Sequence, residues 1–284
     1  MSQSRVVVGV DGSPLSTTAV LQASHYASSR GMSLHVLHAF APDLPMLGFG
    51  ALSDRTAVTG HGRQLLAAAA ARAHAAHPDL TVTTGLQDGY ASQALISSSR
   101  SADLVVVGAV GFGLLSRATM GAVAMQVLTH AQCPVLVVGH ETGGAPVPGS
   151  RVVVGVDGSD DSLEALRAGA REAGVLDGTL EVVHTWQAKG AADPTLGRAS
   201  SWEEYERVVE QRVRTALTST EVPEVKCEVH ILRDEPVHAL AAHTEGASLL
   251  VVGSRGTGGF QGLHVGSTAL RLVARSACPV LVTR

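Results

Sequence analysis

Cysteine, lysine and aromatic side chains are scarce in this chain, and long apolar runs are missing. Three Cys among 284 residues cannot build a disulfide framework and point to a reducing compartment. Nine aromatic side chains (four Phe, three Tyr, two Trp) are too few for a base-stacking platform. Lys189 and Lys226 are the only lysines among 21 basic residues, and 25 acidic residues leave a net charge of -4. That balance offers no basic field to a nucleic-acid backbone. No apolar window reaches about 18 residues, the length a membrane helix needs. The run Val6 to Val10 is too short for the core of a signal peptide. The expectation is a cytoplasmic protein with neither a nucleic-acid nor a membrane partner.

What the chain does have is apolar content and repetition. A hydrophobic share of 45% is enough to bury one large core or two ordinary ones. The segment Arg5-Val-Val-Val-Gly-Val-Asp-Gly-Ser13 returns letter for letter as Arg151 to Ser159. Cys133-Pro-Val-Leu-Val137 returns as Cys278 to Val282, and Val105-Val-Val-Gly108 is answered by Leu250-Val-Val-Gly253. A repeat of this length is a domain rather than a solenoid unit. The expected boundaries are a first domain over 1–142, a Gly/Pro-rich linker over 143–150 and a second domain over 151–284.

Short apolar runs alternate with longer helical stretches in both halves. Strands are expected near 5–10, 33–40, 80–86, 103–108 and 134–138, and again near 151–156, 179–186, 225–232, 248–253 and 279–283. Continuous valine runs suit strands buried on both faces. Ser13 to Arg30 and Ser201 to Thr220 read as helices, the latter opening with a Ser201-Trp-Glu-Glu204 capping pattern. This order implies an α/β fold: two tandem doubly wound domains, each a parallel sheet flanked by helices.

Two loops in each half have the composition of a ligand crevice. Val10-Asp-Gly-Ser13 and Val156-Asp-Gly-Ser159 follow the first strand of each half. A carboxylate there suits a hydroxyl-rich ligand such as ribose, or serves an ordinary strand-to-helix turn. After the fourth strand the second half reads Gly253-Ser-Arg-Gly256, and the next helix opens with Gly266-Ser267-Thr268. Glycines, helix-opening amides and hydroxyls together describe a phosphate cradle, or else a merely flexible loop. No Gly-Lys-Ser/Thr occurs, so it is not a P-loop.

This spacing, glycine, two residues, glycine, nine residues, glycine and Ser/Thr, resembles the nucleotide-binding signature of the ATP-binding universal stress proteins. Gly253, Gly256 and Gly266-Ser267 match throughout; Gly108, Gly111 and Gly121 match in the first half, but Ala122 stands where a hydroxyl is expected. The resemblance covers both halves, as in tandem members of the family. It implies five strands per domain in the order 3-2-1-4-5. It also implies that Asp11 and Asp157 face the ribose, with Gly9 and Gly155 allowing close approach. The backbone at Ala39 and Thr185, after His38 and His184, would hold the adenine edge. Gly108, Gly111, Gly121, Gly253, Gly256 and Gly266 would wrap the phosphates, with hydroxyls from Ser267 and Thr268. Arg255 reads as a phosphate clamp or as a solvated loop residue.

The first half has Ala109-Val110 for Ser254-Arg255 and Ala122-Val123 for Ser267-Thr268. Each hydrogen bond lost to a charged phosphate is worth roughly 1.5–3 kcal/mol. The second site is therefore expected to bind ATP at least about tenfold more tightly.

No activated nucleophile or placed general base is apparent, so no catalytic residue is named. No protein-held metal is expected either; Mg²⁺ would arrive with the phosphates. His38 and His184 read as residues packed beside the crevice, and Cys133 and Cys278 as small buried hydrophobes. The family resemblance also implies pairing of the two halves through their last strands as a pseudo-dimer, and a homodimer of the whole chain is compatible with it. The functional expectation is an ATP-dependent regulator of the stress response acting on an unidentified protein partner. Slow ATP hydrolysis or adenylyl transfer, and a scaffold with vestigial sites, are the alternatives.

Overall fold

The computed structural model describes residues 4–40, 55–111, 120–142, 144–186, 201–218, 224–257 and 265–284. The chain divides into two compact units, Met1–His140 and Glu141–Arg284. In the first unit the elements run β1 (Arg5–Gly9), α1 (Pro14–Ser28), β2 (Ser33–Phe40), α2 (Arg55–Ala76), β3 (Val82–Asp88), α3 (Ala91–Ser98), β4 (Leu104–Gly108), α4 (Ala122–His130) and β5 (Val135–Val138). The second unit repeats them as β6 (Arg151–Val156), α5 (Asp160–Val175), β7 (Thr179–Thr185), α6 (Trp202–Thr218), β8 (Lys226–Leu232), α7 (Pro236–His243), β9 (Leu249–Gly253), α8 (Ser267–Val273) and β10 (Val280–Thr283).

All pairings within each unit are parallel. β1 lies between β2 and β4, with Val7 opposite both His35 and Val105. β3 adds outside β2, and β5 outside β4. The second unit repeats this, with β6 between β7 and β9, β8 outside β7 and β10 outside β9. The order in each is therefore 3-2-1-4-5, which makes the first and fourth strands neighbours and leaves a crevice at their carboxyl ends.

Burial explains why these segments form strands. Val6, Val7 and Val8 of β1 and Val152, Val153 and Val154 of β6 are wholly inaccessible, as strands covered on both faces require. β3 and β8 are only half-covered. The expected 80–86 strand is accordingly displaced: Leu80 turns back to donate its amide to the His77 carbonyl, and pairing continues through Gln87 and Asp88. Apolar periodicity ends at Leu86, whereas backbone pairing does not.

The turns into the first helix of each unit follow from local chemistry. Gly12 and Gly158 have φ of +83° and +86°, a region that side chains disfavour. Ser13 and Ser159 then cap α1 and α5 by accepting the amides of Ser16 and Ser162 at 3.1 and 3.2 Å. Ser201 accepts the Glu204 amide at 3.2 Å, the first half of the expected capping box. In the segment read as a linker, the Gly149 amide donates to the Leu176 carbonyl at 2.8 Å. Among the described residues, no helix is long and apolar enough to cross a membrane.

Candidate functional site

The carboxyl ends of β1 and β4 open onto a cavity of about 350 Å³ in the first unit. Its lining includes Gly9, Asp11, Ala39, Gly108, Gly111 and Gly121, every first-half residue expected at a nucleotide site. Leu37, Leu95 and Val107 form part of its apolar wall, and Leu95 closes up under Gly9, where a Cβ would stand 3.0 Å from it.

Asp11 and Asp157 play two parts at once. One carboxylate oxygen turns back into the strand-to-helix turn, accepting the Ser13 amide at 2.9 Å and the Ser159 amide at 3.1 Å. The other oxygen faces the glycine loop. A Cβ at Gly111 would fall 2.4 Å from Asp11 Oδ2, and one at Gly256 would fall 2.3 Å from Asp157 Oδ2. In the second unit Oδ2 also accepts the Thr257 amide at 2.8 Å. The turn and ligand readings of these aspartates are thus compatible: a single side chain caps the turn and reaches the loop.

The glycine loops close in the same manner in both units. The Gly121 amide donates to the Ala109 carbonyl at 2.8 Å, and the Gly266 amide to the Ser254 carbonyl at 2.7 Å. Residues 112–119 and 258–264, between these anchors, lie outside the described residues. Ser267 and Thr268 are exposed at the start of α8, where the first unit has Ala122 and Val123.

His38 and His184 tie the first two strands of each unit together. Their Nδ1 atoms donate to the carbonyls of Val10 and Val156 at 2.7 and 2.8 Å. His184 Nε2 and the Tyr205 hydroxyl are hydrogen-bonded at 2.6 Å. Both histidines brace the strand ends that lead into Ala39 and Thr185.

The second unit differs where the sequence says it should, though the partners are unexpected. Ser254 Oγ donates to Asp161 Oδ2 at 2.9 Å, and the Arg255 amide and Nε reach the same oxygen at 3.1 and 3.2 Å. Burial works to raise the Asp161 pKa, but the hydrogen bonds from Arg255 and Ser254 prevail and hold it below the usual carboxylate value. Arg255, nearly two-thirds exposed, is raised in turn by the hydrogen bond to Asp161. Repeat alignment puts Leu15 where Asp161 stands, so this trio belongs to the second unit alone.

An aromatic group that composition did not foretell adjoins Thr185. Trp202 and Tyr205 stack with centroids 5.3 Å apart, Trp186 meets Trp202 edge-on at 5.9 Å, and the Arg233 guanidinium lies 4.1 Å over Trp202. The available signal was positional, since both tryptophans of the chain fall between residues 186 and 202.

Comparison with known proteins adds the family. The model of the universal stress protein family matches residues 3–139 and 150–284. The Mycobacterium tuberculosis (strain ATCC 25618 / H37Rv) universal stress protein Rv2623 is 32% identical, with 98% of this chain and 96% of that protein covered. A Mycolicibacterium smegmatis relative of the same description is 30% identical over 98% and 96% of the two chains. A crystal structure of a universal stress protein from Archaeoglobus fulgidus shares the fold, with a TM-score of 0.75 at 20% identity over 100% and 99% of the chains.

Proposed function

Because this chain belongs to the universal stress protein family through both of its halves, we propose that it is a nucleotide-dependent regulator whose two crevices bind ATP. The observation that carries this reading is the first-unit cavity, lined by all six residues that the family signature and strand order single out there. Its volume of about 350 Å³ is within the range of small-molecule sites.

Each group in the crevice has work suited to it. The outward oxygen of Asp11 or Asp157 accepts ribose hydroxyls, while the inward oxygen holds the turn. Backbone at Ala39 and Thr185 meets the adenine edge, and the apolar wall of Leu37, Leu95 and Val107 excludes water from the base. The glycine loops supply amides to the phosphates, because Gly111 and Gly256 leave room beside the aspartates. In the second unit Ser267 and Thr268 add hydroxyl donors, and Arg255 leaves Asp161 for the phosphates. Mg²⁺ arriving with the nucleotide would neutralise phosphate charge, with no protein cage needed to hold it.

Occupancy would set the conformation of the crevice loops and so alter the surface offered to a protein partner, a population shift driven by differential binding. Isothermal titration of the nucleotide-free chain with ATP tests the reading. Saturable binding supports it, and heat no greater than dilution overturns it.

A further inference from the structure

The second unit buries a carboxylate that its repeat lacks. Glu181 of β7 is 3% exposed. One of its oxygens pairs with the Arg151 guanidinium, which also donates to the Glu245 carbonyl at 2.6 Å. Its other oxygen, Oε1, accepts His243 Nδ1. His230 Nε2 stands 3.4 Å from that same oxygen, buried, and makes no hydrogen bond among the described residues. The two imidazoles pack with centroids 5.1 Å apart. One carboxylate oxygen of Glu181 and one ring nitrogen each of His230 and His243 lie within 4.8 Å of one another.

Comparison inside the chain shows that this convergence is local. Strand register aligns Glu181 with His35 and His230 with Gly85, and the last residues of the matching helices align His243 with Ser98. Three positions that share one place in the fold have thus become carboxylate, imidazole and imidazole together. A shared structural need would keep them alike in both units.

We propose that Glu181, His230 and His243 form a metal site for a borderline divalent cation such as Zn²⁺, separate from the nucleotide crevice. Two imidazole nitrogens and one carboxylate oxygen favour Zn²⁺, Co²⁺ or Ni²⁺ over Mg²⁺ and Ca²⁺. Zinc bonds these atoms at about 2.0–2.1 Å, which puts neighbouring ligands of a tetrahedral ion about 3.3 Å apart. The 3.4 Å between Glu181 Oε1 and His230 Nε2 is that edge. On binding, the neutral His243 ring gives up its Nδ1 proton and takes one from solvent at Nε2, so that it becomes the Nε2–H tautomer with its Nδ1 lone pair on the metal and no net proton is released. Arg151 keeps the second carboxylate oxygen oriented, as an outer-shell partner does. The fourth position is left to water. Glu181 precedes Thr185 by four residues, about 13 Å back along the strand from the crevice mouth.

The test uses the full, tag-free chain, stripped with EDTA and kept in excess Mg²⁺ so that phosphate-type sites are filled. Co²⁺ is added, its visible absorption is followed, and Zn²⁺ is used to displace it. The expected result is one equivalent bound in a low-coordinate environment, weakened at least about tenfold in both His230→Gln and His243→Gln. A His25→Gln/His77→Gln variant, removing the histidine pair of the first unit, should bind as the parent does. Loss of His243 also takes a partner from buried Glu181, so His230→Gln, whose unfolding midpoint in EDTA should match the parent's, decides the matter. Absence of stoichiometric binding by the parent, or undiminished binding by His230→Gln, overturns the proposal.

Discussion

The Asp157 carboxylate accepts the Thr257 amide at 2.8 Å, across the 100 residues that separate the first strand of the second unit from its glycine loop. That contact exists because Gly256 has no side chain: a Cβ there would meet Asp157 Oδ2 at 2.3 Å. The first unit is built alike, with Gly111 against Asp11 at 2.4 Å. Replacing either glycine forces the carboxylate out of the crevice. Gly111→Ala and Gly256→Ala should each abolish binding at their own unit and leave the other site intact, as counted by nucleotide stoichiometry. Two full equivalents retained by either variant would show that the aspartate position is irrelevant to the ligand.

The sites should differ in affinity. Ser267 and Thr268 have no hydroxyl counterparts in Ala122 and Val123, so the Gly111→Ala chain should bind ATP at least about tenfold more tightly than the Gly256→Ala chain. Trp186 and Trp202 give the measurement a local reporter beside the second crevice, and the first unit has no tryptophan. An ATP-dependent change in tryptophan fluorescence should persist in Gly111→Ala and vanish in Gly256→Ala. Equal affinities in the two variants contradict the asymmetry.

Asp161 makes a prediction about acid. Its pKa is lowered by hydrogen bonds from Arg255 and Ser254 that outweigh the effect of burial. A group depressed in the folded state stabilises at pH above its unfolded value, here near 3.8, and loses that contribution as pH falls through the folded value. Asp161→Asn should therefore cost roughly 1 kcal/mol at neutral pH. That cost should shrink as acid unfolding is approached, and a denaturant series at several pH values reads both. A cost independent of pH would mean that packing, not charge, accounts for the residue.

The architecture was legible because its signals are redundant. Valine runs at Val6 to Val8 and Val152 to Val154 mark doubly buried strands, and the repeat doubles every element. Asp11, expected from the loop after the first strand, and Gly111 and Gly121, expected from the spacing that resembles the family signature, all line the first-unit cavity. What escaped were relations between side chains remote in sequence. Asp161, beside Asp160 in the first turn of α5, meets Ser254 and Arg255, 93 and 94 residues on. Glu181 sits in a strand where an apolar residue is expected, and its histidines come from two other elements. Neither periodicity nor local propensity carries such convergence, which strand register creates.

The cysteines test the packing of the last strands. Cys133 and Cys278 are buried, and burial pushes the Cys278 thiol up to about 11. Thiolate is the reactive form, so at pH 8 both should resist a disulfide reagent in the native chain and react on unfolding. Cys227 is half-buried and also raised, chiefly by burial, and should react slowly. Rapid titration of two or more thiols in the folded protein would contradict the placement of these strands.

The central claim is that the crevices bind ATP. Freshly purified chain is denatured, and the released nucleotide is chromatographed and counted per mole of protein. The account predicts adenine nucleotide near one to two equivalents, or uptake to that level after incubation with ATP and Mg²⁺, falling by about one equivalent in Gly256→Ala. A chain that releases none and takes up none would contradict it and leave the glycine loops as features of the fold alone.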